Sequence, residues 1–188
     1  TDKNVLTAED PIEYHLPNIR QTQINESIGL TFAKVMRSVV RQDPDIVMIG
    51  EIRDSETAQM AAQASLIGTL IFSTFHTFDI PALITRLQEM GIANSVISQA
   101  LKGVVTTKLI RKICQSCKTE YQLAPVEKKK LAVKEDIQSV FRGKGCQACQ
   151  NSGYMGRIGV YEITNFDSEI KDGIMEKRPA SYINDLVN

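Results

Sequence analysis

"PDIVMIGEIRD", Pro44 to Asp54, is the stretch on which the fold turns. Ile46, Val47, Met48 and Ile49 are four apolar residues in a row, and Gly50, Glu51, Arg53 and Asp54 follow at once. A short apolar run that ends in a glycine and an acid predicts a buried strand that delivers a carboxylate to the edge of a sheet. Upstream, "NVLTA" predicts another strand, ending at the acidic "EDPIEY" of Glu9 to Tyr14. A loop through Pro17 and Asn25 follows. Phe32, Val35, Met36, Val39 and Val40 then recur at helical spacing, with Thr31 placed as N-cap and Pro44 just beyond the end.

Downstream, Asp54 or Ser55 can cap a second helix carrying Ala58, Ala61, Ala62 and Leu66 and stopped by Gly68. "TLIFSTF" (Thr69 to Phe75) predicts a third strand leading into His76, and "IPALITRLQEMG" a third helix with Gly91 at its stop. Strands alternating with helices of this length indicate a parallel, layered α/β sheet. Chemistry in such sheets gathers where the strands end. Glu9, Asp10 and Glu13, then Glu51, then His76, all fall at or just past predicted strand C-termini. From Ala93 to Ile113 the apolar spacing is helical again, interrupted by Gly103. "EKKKLAVKED" reads as a solvated helix, "RIGVYEITNF" alternates like a strand, and the last twenty residues read as one or two short helices with Pro179 at a helix start.

Composition bounds the function. The 188 residues carry 22 Lys and Arg against 22 Asp and Glu and are 43% hydrophobic, enough for one domain with a satellite and against disorder. The zero net charge gives no large electrostatic footprint for nucleic acid. Neither a membrane span nor a signal peptide is visible, which predicts a soluble, cytosolic protein. Two His and no Trp argue against histidine-rich metal catalysis. Thr1 stands where a start methionine would be, one step before a strand, and reads as a cut inside a larger protein.

Cys114 and Cys117 form one C-x-x-C and Cys146 and Cys149 another, with 28 residues between them. One tight turn supplies two thiolates, so two such knuckles complete a tetrahedral shell for structural Zn²⁺. The gap exceeds the common ribbon spacing, and a helical insert absorbs it. Two disulfides, four ordinary buried cysteines and a metal-free remnant are the competing readings. Disulfides fit a cytosolic chain poorly, and unrelated cysteines rarely fall into two such pairs. A closed four-thiolate shell leaves no catalytic position, so its role is folding.

The acid-bearing strand has the look of a Walker B strand in a nucleotide hydrolase. Its usual companion, a phosphate-cradling G-x-x-x-x-G-K-[ST] loop, occurs nowhere in the 188 residues. "LTAEDPIEY", "RQDPDIVMIGEIRDSETA", "IFSTFHTFD" and "GCQACQNSGYMGRIGVYEI" together resemble the signature boxes of type II secretion and type IV pilus-assembly ATPases, over nearly the whole chain. In that family "EDPIEY" is similar to the aspartate box, "IVMIGEIRD" to the Walker B box and "STFHTFD" to the histidine box. The cysteine pairs resemble the metal-binding insert of the assembly and secretion branch, which pilus-retraction ATPases usually lack.

The resemblance implies an α/β, RecA-like parallel sheet, here partial and without the P-loop strand and helix, with a tetracysteine zinc subdomain and a helical C-terminus. Residues 1–113 would be the C-terminal part of the motor domain, 114–153 the zinc subdomain and 154–188 a closing strand and helices. It implies a hexameric ring at the cytoplasmic side of the inner membrane. There ATP and Mg²⁺ drive subunit addition through a membrane platform protein and other components of the machinery. Carried over, Glu9 and Glu13 would approach the attacking water or the metal, Glu51 would orient the Mg²⁺ and water, and His76 would contact the γ-phosphate region. Asp10, the box's second acid, would take part in binding the cofactor. Arg53 and Asp54 would fix the geometry around Glu51 rather than touch nucleotide. Arg20, Arg37 and Arg41 are candidate cations for a neighbouring subunit's site. Phe78 and Thr69 depart from the family pattern, where Asn and His are usual. Two other classes compete: a zinc-ribbon nucleic-acid module and a non-catalytic docking piece.

Overall fold

The computed structural model describes residues 2–130, 137 and 139–187. In chain order its elements begin β1 (Val5–Glu9), β2 (Arg20–Gln23), α1 (Phe32–Val39), β3 (Ile46–Ile49), α2 (Ser55–Leu66), β4 (Leu70–Ser73), α3 (Ile80–Glu89) and α4 (Asn94–Ala100). They continue with β5 (Gly103–Ile113), β6 (Lys118–Gln122), α5 (Pro125–Lys130), β7 (Ser139–Gly143), β8 (Tyr154–Asn165), α6 (Ser168–Met175) and α7 (Ala180–Val187). The chain divides into two units, Thr1–Val104 with Thr164–Asn188, and Val105–Ile163.

The first unit holds a four-stranded, all-parallel sheet in the order β2-β1-β3-β4. Val47 and Ile49 of β3 are fully buried, as the apolar run requires, and β1 runs beside them with Leu6 and Ala8 inside. Helix α1 contributes Phe32, Val35, Met36 and Val39 to the same core, and α2 contributes Ala61. Each fully buried aliphatic side chain here contributes about 1.5–3 kcal/mol. Thr31 caps α1 by accepting from the Lys34 N–H. A second core of the same unit gathers Ile80, Ile84, Ile97, Phe166, Ile170, Ile174 and Ile183 from α3, α4, α6, α7 and the turn before α6.

Two elements differ from the sequence expectation. Arg20–Gln23, read as loop, is the edge strand β2, parallel to β1. Its four residues are all polar, so no apolar alternation marked it; an edge strand can be polar because one of its sides faces water. Ala93 to Ile113, read as helical, is α4 followed by β5. Val104 to Thr107 are four β-branched residues in succession after a glycine, and their restricted χ1 favours an extended chain over a helix.

The second unit comprises the remainder of β5 and β8, which pair as a two-stranded sheet, and the antiparallel pair β6–β7. Of the expected charged helix, Pro125–Lys130 is α5, and residues 131–136 lie outside the described residues. No helix among the described residues is long and apolar enough to cross a membrane.

Candidate active site and metal centre

Parallel strands bring their C-terminal ends to one edge of the sheet. Ala8, Ile49 and Ser73 lie in one register row across β1, β3 and β4. The residues just beyond that row are therefore neighbours. Gly50 makes the approach close: its N–H donates to the Ala8 carbonyl at 2.7 Å, and a Cβ there would sit 3.3 Å from the same oxygen. Thr74 Oγ1 donates to the Gly50 carbonyl at 2.7 Å, tying the turn after β4 to the turn after β3.

Glu51 lies beyond β3 with its side chain 18% exposed, inside a pair of far more exposed partners. Arg53 Nη2 donates to Glu51 Oε1 at 2.6 Å. His76 Nε2 stands 3.9 Å from Oε2, an ion pair when the imidazole carries a proton. The hydrogen bond to Glu51, then the Glu51 charge, raises the Arg53 guanidinium above its ordinary pKa, and Asp10 and Glu26 add at longer range. Arg53 is thus a cation at this edge under the influence of three carboxylates, Glu51, Asp10 and Glu26.

Glu9 closes β1 and is buried, with Thr7 Oγ1 donating to its Oε1 at 2.5 Å and Gln21 Nε2 donating to the same oxygen at 2.9 Å. Asp10 and Glu13 are exposed, in the loop between β1 and β2. Asp54 is turned to a different task. Its Oδ1 accepts from the Thr57 N–H at 2.8 Å and its Oδ2 from the Thr57 hydroxyl at 2.7 Å, capping α2. Arg37 of α1 pairs with Glu56 of α2. Phe78 is almost wholly exposed, and Thr69 Oγ1 donates to the Pro44 carbonyl.

Three residues of this edge escaped the sequence reading. Thr7 shares a face with Glu9 by strand alternation, a signal that was present in "LTAE". Gln21 belongs to the strand that polar composition concealed. Ser73 ends β4 with its hydroxyl buried and without a hydrogen-bond partner among the described residues, and nothing in its sequence marked it.

In the second unit the four thiols converge. The Sγ atoms of Cys114, Cys117, Cys146 and Cys149 all lie within 4.8 Å of one another. Three of the separations are 3.9 Å (Cys114 to Cys146), 3.9 Å (Cys117 to Cys149) and 3.7 Å (Cys146 to Cys149). A tetrahedron with Zn–S bonds of about 2.3 Å has edges of about 3.8 Å, so the donor set fits a zinc ion. All four cysteines are free, with no disulfide among them.

Backbone closes the knuckles. The Cys146 and Gly153 N–H groups both point at Cys149 Sγ, at 3.2 and 3.3 Å. Gly143 and Gly153 cross so tightly that a Cβ on Gly143 would fall 2.0 Å from the Gly153 carbonyl oxygen, which excludes any larger residue. Burial pushes the Cys117 thiol up to about 12, with the neighbouring thiols adding to it. For Cys149 burial also raises the pKa, but the two N–H groups and the thiols of Cys146 and Cys117 outweigh it and bring it to about 6.

The model of the type II/IV secretion system protein family matches residues 1–187. The chain belongs to that family. It is 45% identical over 188 residues to the type IV pilus assembly ATPase PilB of Thermus thermophilus, covering 98% of this chain and 21% of that protein. It is 46% identical over 170 residues to the type II secretion system protein E of Pseudomonas aeruginosa, covering 90% of this chain and 34% of that protein. The chain therefore spans about a fifth to a third of the length of these two relatives. Among solved structures, the pilus retraction motor PilT with bound ADP shares the fold at a TM-score of 0.65 and 24% identity, over 97% of this chain and 44% of that one.

Zero net charge does not hold unit by unit within this family member. Residues 105–163 hold eleven Lys and Arg against five Asp and Glu, so the first unit carries the compensating acids.

Proposed function

We propose that this chain is the part of a secretion or pilus-assembly ATPase that supplies the acids and histidine of ATP hydrolysis, within a RecA-like motor domain. The observation that carries the reading is the convergence of Glu9, Glu51 and His76 along one edge of a parallel sheet, in a chain of this family. Phosphoryl transfer receives most of its catalysis from positioning and electrostatics. The edge has the parts for positioning. Glu51, held on one oxygen by Arg53, presents the other toward the space beside His76, where it can orient an attacking water. Glu9 is a second, buried acid, and Asp10 and Glu13 are solvated acids on the adjoining loop. His76 would donate a hydrogen bond to a terminal phosphate. Asp54 holds the helix that follows Glu51. Mg²⁺ bound with ATP would supply charge neutralisation at the phosphates, and Glu51 with Glu9 are the residues of this chain that would face it.

The tetracysteine cluster would hold one structural Zn²⁺ through Cys114, Cys117, Cys146 and Cys149, fixing the second unit's fold. It also favours the assembly and secretion branch. The whole protein would work as a hexameric ring at the cytoplasmic side of the inner membrane, through a platform protein and other machinery components. The nucleic-acid alternative is disfavoured despite the basic second unit. Three of its aromatic rings already carry cations of the same chain: Arg111 over Tyr154, Lys118 over Phe141 and Arg142 over Tyr121. A covered ring face is a poor platform for stacking a base.

The test has two arms. The 188 residues alone, without a phosphate-cradling loop, should give neither calorimetric heat with Mg²⁺-ATP nor turnover above buffer. The longer protein that carries this chain with such a loop should do both. Hydrolysis by the 188 residues alone, or none by the longer protein, would defeat the proposal.

A further inference from the structure

We infer that Gln21 is a positioning residue of the site, which with Thr7 fixes the Glu9 carboxylate and fastens the acidic loop to it. The inference rests on the ATPase reading above. Glu9 is buried, and a buried carboxyl group needs hydrogen-bond partners in place of the water it loses. Among the described residues no ion pair holds it. Two neutral groups do, and both donate to Oε1, while Oε2 has no hydrogen-bond donor among the described residues.

The arrangement follows from register. Thr7 and Glu9 share a face of β1 by alternation, and Gln21 of β2 pairs directly with Thr7 across the parallel ladder. The three side chains therefore stand together on one face at the catalytic edge. Oε2 of Glu9 is left for a reacting water, and its orientation is set by what grips Oε1.

Gln21 does more than grip. Its Nε2 also donates to the Tyr14 carbonyl at 2.9 Å, and its Oε1 accepts from the Leu16 N–H at 2.7 Å. One carboxamide thus joins Glu9 to the backbone on either side of His15. The loop has little apolar anchorage there, since the Tyr14 and Leu16 side chains are 80% and 50% exposed. A polar pin is what holds it. Losing that pin lets both Glu9 and the loop carrying Asp10 and Glu13 drift.

A glutamine that only satisfied loop backbone would be structural, and the test is chosen to tell the two apart. In the longer protein, Gln21→Leu should lower kcat by roughly 10- to 100-fold, as misplacement of about 1 Å does, with the KM for ATP nearly unchanged. Thr7→Val should act in the same direction, and Thr7→Ser should restore the rate. The decisive arm is a cycle with Glu9→Gln: once the carboxylate is gone, adding Gln21→Leu should cost almost nothing further in kcat. Where Gln21→Leu fails to fold by circular dichroism, Gln21→Asn, which keeps the groups and shortens the reach, takes its place. Unchanged kcat in a folded Gln21 variant, or full additivity with Glu9→Gln, would overturn the inference. A wild-type longer protein without turnover would instead refute the ATPase reading on which it stands.

Discussion

Asp54 follows the signature stretch so closely that it invites a role with nucleotide, yet both its oxygens are engaged by Thr57. The geometry makes it a helix cap, and Asp54→Ala measures that. Loss of the cap itself costs about 1 kcal/mol. Thr57 is 0% exposed, so its hydroxyl, stripped of its acceptor, adds about 1–3 kcal/mol as a buried unsatisfied donor. The two parts share one residue and do not add fully, which gives about 2–3 kcal/mol in all. With a urea m-value of about 1–3 kcal/mol/M the midpoint should fall by about 1–2 M. Urea unfolding of the 188-residue chain, followed by the helical circular dichroism signal, reads this directly. Asp54→Asn keeps an oxygen for the Thr57 N–H and should lose much less. In the Thr57→Val background the hydroxyl is absent, so Asp54→Ala should cost only the cap. If Asp54→Ala shifts the midpoint no further than an ordinary surface substitution, about 0.5 kcal/mol, the capping argument fails.

Metal-replete protein should contain one zinc per chain by elemental analysis; a folded second unit with no metal and four freely reactive thiols would contradict the cluster. Cys146→Ser should loosen the second unit first, seen as early amide exchange in residues 105–163, while the parallel sheet stays protected. Asp45 gives a pH-dependent term. The Asn4 N–H first, then Lys3, hold its carboxyl below its ordinary value. A carboxylate depressed in the folded state stabilises above its unfolded pKa of about 3.9 and loses that contribution as pH falls through its lower folded value. Asp45→Asn should therefore flatten the thermal-stability profile between about pH 5 and pH 2; an unchanged slope would count against the contact.

What the sequence made legible follows its periodicities. The β3 run, the α1 stripe with its Thr31 cap, and the two C-x-x-C knuckles each carry a local signal strong enough to stand alone, and each is where it was expected. Glu9, Glu51 and His76 were legible as strand-end residues because a parallel sheet leaves few other places for them. The misses have physical causes. β2 is polar throughout, so its strand character comes from pairing with β1 and from nothing in its own composition. Gln21 was hidden with it. In β5, apolar residues at helical spacing competed with four consecutive β-branched residues, and the backbone preference prevailed. Net charge misled differently: a chain-wide zero concealed a basic second unit and an acidic first one.

The proposal turns on Glu51 as an acid that orients the attacking water in ATP hydrolysis, and one substitution addresses it. Glu51→Gln keeps the size of the side chain and an oxygen for Arg53 while removing the negative charge. In the longer protein, steady-state turnover should fall by about 10²–10⁴-fold, the range for losing a general base, while calorimetric affinity for Mg²⁺-ATP stays close to wild type. Turnover that survives Glu51→Gln within a few-fold, with the protein folded and ATP bound, would contradict the account.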